Sequence, residues 1–156
     1  MPTSSIPPES SGQPALLRHI VPVVFGGLVT LMLTVVTDNM LGAHGVLPSP
    51  GHPVFETGPL LLAAAYRGLF AMAGCHLAAR LAPAGHPRIR YALVLGGLML
   101  VLNVVGASTL WGQVPMWYSL SGIALTVPYA IIGGGTAARV MAGAETAPAS
   151  TQPPTP

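Results

Sequence analysis

Residues 58–83 read GPLLLAAAYRGLFAMAGCHLAARLAP. The stretch is apolar for more than 20 residues, is broken once by Arg67, and closes on Arg80. About 20 apolar residues are needed for a helix to cross the hydrocarbon core of a bilayer. If 59–79 is a membrane span, Arg67 lies inside it. An arginine near the middle of a span costs about 2.5–3.5 kcal/mol on insertion scales, so it must face a bundle or a wet cavity and have a partner.

Three other runs of similar length flank this one, at about 20–40, 91–110 and 114–138. The composition agrees with lipid as the solvent. Half of the 156 residues are apolar and 6% are charged, against roughly a quarter charged in an ordinary soluble domain. The expectation is an all-α membrane protein, an antiparallel four-helix transmembrane bundle over 15–140. Residues 1–14 and 141–156, rich in Pro, Ser and Thr, lack the apolar residues to offset ordering entropy and are expected as disordered tails. Pro22 is expected in the first turn of its helix, where proline is tolerated. Pro128 predicts a kink in the last span. The first run is longer than the roughly 7–15 residues of a signal-peptide core, so it is expected as an uncleaved anchor.

Arginine placement sets the orientation. Arg18, Arg80, Arg88, Arg90 and Arg139 fall at one end of a four-span arrangement, and the loops at 41–58 and 111–115 contain no Lys or Arg. The positive-inside rule puts that end, with both termini, in the cytoplasm. Trp111, Trp117 and Tyr118 then lie near the opposite interface, where amphipathic rings are enriched. Glycine pairs Gly26-Gly27 and Gly96-Gly97 recur 70 residues apart. These, Gly74 with Ala78, and Gly133–Gly135 could let helix backbones approach closely.

Depth arithmetic finds a partner for Arg67. Counted from Arg80 at 1.5 Å per residue, its backbone lies roughly 20 Å up the span. Its side chain, leaning toward the helix N-terminus, reaches roughly 25 Å. Asp38, counted from Ile20, lies at roughly 27 Å. Asn103 and Thr126 lie near roughly 18 Å. The predicted intramembrane cluster is Asp38, Arg67 and Asn103, with Glu56, Tyr66 and Thr126 as further contributors. The default role is a structural ion pair that fixes helix register. The functional role is a site for an anion, a proton or a polar solute.

Other chemistry is weakly signalled. His44 and His52 share a loop with Asp38 and Glu56 and are residue types that bind zinc, but none are at helical i, i+4 spacing, and no metal is expected. His19 and His76, near the same ends of neighbouring spans, make a bridging haem conceivable; packed or interfacial histidines are the default, and no cofactor is expected. Cys75, the single cysteine, allows no internal disulfide. The net charge of +2 and the lack of basic-aromatic clusters argue against nucleic acid as a partner. There is no phosphate loop, nucleophile elbow or carboxylate pair, and Ser119 and Ser121 have no nearby base in sequence. Hence no enzyme is expected.

Four segments, TDNMLGAHGVLPSPG at 37–51, AYRGLF at 65–70, ARLAP at 79–83 and WGQVPMWY at 111–118, resemble a group of small bacterial four-span membrane proteins without an assigned activity. The resemblance covers roughly 15–140. It implies a bacterial inner-membrane location and no activity, substrate or cofactor. Proline and basic residues follow ARLAP in that group, and APAGHPRIR at 82–90 fits this loosely. The expected role is a non-enzymatic accessory subunit or a self-associating bundle, with the lipid bilayer and a second copy or another membrane protein as partners. The alternative is a small oligomeric transporter or channel for a polar or anionic solute, with Arg67 lining the path.

Overall fold

A computed structural model describes residues 15–47 and 54–146. Four helices account for nearly all of them: α1 (Ala15–Ala43), α2 (Thr57–Arg80), α3 (Arg88–Thr109) and α4 (Met116–Thr146). All four are long and apolar enough to cross a membrane. The chain is an all-α four-helix bundle of up-down-up-down topology, and sequential helices pack antiparallel.

Helix ends differ from the hydropathy limits because a helix continues past the hydrocarbon where its backbone bonds are satisfied. α1 begins five residues before Ile20, so Pro22 lies inside the helix and not in its first turn. α4 runs eight residues past Ala138. Residues 141–146, expected in the tail, are therefore helical. The expected tails at 1–14 and 147–156 lie outside the described residues. Pro128 sits within α4, where the Ala124 carbonyl loses its usual N–H partner.

The α2–α3 and α3–α4 connections are short. Gly85 and Gly112 take left-handed φ values of +81° and +78°, a conformation glycine adopts without steric cost. The α1–α2 connection is tied to the α3–α4 turn by a Val54 N–H to Gln113 carbonyl bond of 2.8 Å.

α2 is the central helix. It packs on each of the other three, whereas α1 and α4 share no contact among the described residues. Small residues explain the closeness. A Cβ on Gly26 would lie 2.5 Å from the Gly74 carbonyl, and one on Gly133 would lie 2.4 Å from the Met72 carbonyl. Dispersion between such close backbones replaces the hydrophobic drive that lipid does not supply. The buried core (Cys75, Ala78, Ala79, Ala92, Leu95, Ala130 and Ala137) is largely alanine and occupies the half of the bundle nearest the termini. Outside it, long apolar side chains such as Leu28, Leu31, Leu98 and Val101 are exposed, as lipid-facing residues are. In the other half of α3, Val101, Leu102, Val104 and Val105 are exposed.

Candidate functional site

A cleft of about 190 Å³ lies between α2, α3 and α4. Ala64, Arg67 and Gly68 form one wall; Asn103, Tyr118, Ser119 and Ser121 supply most of the remaining polar lining. Gly68 clears room at its base. A Cβ there would lie 2.7 Å from the Tyr129 ring, so the glycine lets that ring seat directly on α2.

Arg67 Nη2 donates to Asp38 Oδ2 at 2.6 Å. Arg67 Nη1 donates to the Tyr118 hydroxyl at 3.1 Å. The other Asp38 oxygen accepts from the Tyr66 hydroxyl. The carboxylate therefore has a partner on each oxygen, and α1, α2 and α4 are joined through one guanidinium. An ionised acceptor makes these stronger than neutral bonds. A guanidinium has five N–H donors. Two are used here, which leaves donors for a ligand.

The pair is not sealed inside the bundle. The side chains remain 43% (Arg67) and 31% (Asp38) accessible, so the cluster forms the flank of an open cleft and not a dry interior contact. Asn103 does not join it. Its amide donates to Thr126 Oγ1 at 2.9 Å, and Thr126 in turn donates to the Gly122 carbonyl at 2.6 Å. Asn103 and Thr126 thus form a second polar pair on the α3–α4 seam, with Asn103 facing the same cleft as Arg67. Glu56 is exposed at the N-cap of α2, makes no side-chain cap bond, and takes no part in the ion pair.

Tyr118 is the residue that reading the sequence misses. Its position predicts an interfacial aromatic, yet its hydroxyl bonds Arg67 while its ring packs edge-on to Trp117. The available signal was its level: one turn into α4 from the end nearest Arg67.

His19 and His76 bond to different helices. His19 Nδ1 lies 2.5 Å from the Tyr91 hydroxyl, between α1 and α3. His76 Nδ1 lies 3.0 Å from Thr136 Oγ1, between α2 and α4. The two rings therefore serve different seams. His44 is exposed at the end of α1, and His52 lies outside the described residues. Among the described residues no three His, Cys, Asp or Glu side chains gather as metal ligands would. Cys75 is buried in the alanine core.

Searches of protein-family models, curated proteins and solved structures give no match to the chain. Its chemistry is read from its own geometry.

Proposed function

We propose that the chain is a non-enzymatic, multi-pass protein of a bacterial inner membrane, with both termini cytoplasmic, acting as an accessory subunit that binds a small polar or anionic group in the Arg67 cleft. The observation that carries this reading is the guanidinium on the cleft wall, held by Asp38 and Tyr118 with donors to spare. Asn103, Ser119 and Ser121 line the same space. At about 190 Å³ the cleft is smaller than the roughly 300–1,000 Å³ of drug-sized ligand pockets, which suits a phosphate-sized or carboxylate-sized group.

The tight packing nearer the termini speaks against conduction through one copy. Gly26 against Gly74 and Gly133 against Met72 leave no room even for a Cβ. A cleft open at one end and closed at the other binds but does not pass a solute. Five of the six arginines fall at the closed end, which supports placing that end in the cytoplasm. The cleft then opens to the outside.

The test uses Ser119→Cys in a Cys75→Ala background. Negatively and positively charged methanethiosulfonate reagents are applied to intact cells. The reading predicts reaction with both, faster with the anionic reagent, and loss of that preference in Arg67→Gln. Protection from both reagents until the membrane is dissolved would overturn it.

A further inference from the structure

A second groove lies at the opposite end of the bundle, where α1 and α3 run in the same direction but touch only lightly. Its volume is about 370 Å³, within the roughly 300–1,000 Å³ range of ligand pockets. Its walls are almost wholly apolar. At the level of the helix ends stand His19, His86, Arg90 and Tyr91; further in stand Val23, Val24 and Val94. At 1.5 Å per residue, Val24 is about 7.5 Å deeper than His19 and Val94 about 6 Å deeper than Arg90. The polar rim is itself organised. His19 reaches the Tyr91 hydroxyl at 2.5 Å, and its ring meets His86 edge-on with centroids 4.9 Å apart.

We propose that this groove seats one acyl chain of an anionic phospholipid, with the lipid phosphate at the rim against Arg90. Three observations carry the assignment. The order of the lining, basic and aromatic at the rim and aliphatic below, is the order of a phospholipid read from headgroup to tail. The charge is complementary: Arg90 is exposed at the rim, Arg18 adjoins His19 on α1, and no acid lines the groove. The surroundings supply the ligand, because the groove lies on the flank of a helix pair that spans the bilayer. Arginine near an anionic membrane surface contributes about 1 kcal/mol, which corresponds to about a fivefold preference for an anionic over a zwitterionic headgroup.

The test is native mass spectrometry of the full-length protein in a neutral detergent, titrated with dioleoyl phosphatidylglycerol, dioleoyl phosphatidylcholine or inorganic phosphate. Val94 is 60% exposed, so Val94→Trp fills the groove without disturbing the alanine core. Wild type is expected to retain phosphatidylglycerol about fivefold better than phosphatidylcholine. Arg90→Gln is expected to abolish the preference, and Val94→Trp to weaken binding of both lipids. Arg139→Gln, on α4 and away from α1, is expected to keep the wild-type preference. Equal binding of the two lipids by wild type, an unchanged preference in Arg90→Gln, or unchanged binding in Val94→Trp would each overturn the proposal. Displacement of the lipid by inorganic phosphate would assign the rim to a free anion instead. A change from dimer to monomer in Val94→Trp would assign the groove to a seam between copies, and the proposal would fail.

Discussion

Replacing Asp38 alone is expected to destabilise the protein more than replacing Asp38 and Arg67 together. Asp38→Asn leaves Tyr66 an oxygen to donate to but removes the charge that neutralises a guanidinium 2.6 Å away. Exposed ion pairs are worth about 0.2–1 kcal/mol, and breaking a buried one costs about 3–5 kcal/mol. With 43% and 31% of the two side chains accessible, this pair lies between those limits. A loss of about 2 kcal/mol is expected for Asp38→Asn. Arg67→Met removes the same attraction but also removes the cost of an arginine in a span, and Asp38 keeps its Tyr66 bond, so the loss is smaller. In the double variant neither charge remains, and stability is expected within about 1 kcal/mol of wild type. The coupling then falls in the range of about 0.5–3 kcal/mol found for residues in contact. Titration of the purified protein with SDS in mixed micelles, followed by helical circular dichroism, measures each corner of the cycle. Additive losses in the double variant would refute the pairing as an energetic unit.

Three further outcomes follow from how the helices meet. Gly74→Val is expected to cost about 3 kcal/mol or more in the same titration, since even a Cβ there would meet the Thr30 hydroxyl and the Gly26 carbonyl; Gly97→Ala, with open space around it, is expected to be neutral. Thr30→Val removes a hydroxyl set 3.0 Å from the Gly26 carbonyl and 3.1 Å from that of Phe70, and is expected to cost about 0.6 kcal/mol, the average for an interhelical bond in a membrane.

The parts of this structure that depend on one dimension were legible in the sequence. Span number followed from hydropathy, and the contact of Asp38 with Arg67 followed from depth, because residues at one level on antiparallel neighbours can meet. Direction around a helix axis was not legible. Asn103 shares a level with the ion pair's surroundings, but its amide bonds Thr126 across the α3–α4 seam. The same limit applies to the glycines. Gly26 and Gly96 face neighbouring helices, whereas Gly97 faces open space, although the two pairs look alike in sequence. Tyr118 had two roles available, interfacial ring and hydroxyl partner, and only the fold showed that it performs both. Helix ends were missed by several residues at Ala15 and Thr146 because hydropathy marks the hydrocarbon boundary and backbone hydrogen bonding does not stop there.

The most direct test of the four-span account is the sidedness of its two ends. Cys75 is buried and contributes little background, so single cysteines report cleanly. His44→Cys, exposed at the end of α1, and Ala84→Cys, exposed between α2 and α3, are labelled with a membrane-impermeant maleimide. His44→Cys is expected to react in intact cells, and Ala84→Cys only after the membrane is opened. Reaction of both positions from the same side of a sealed membrane would contradict it.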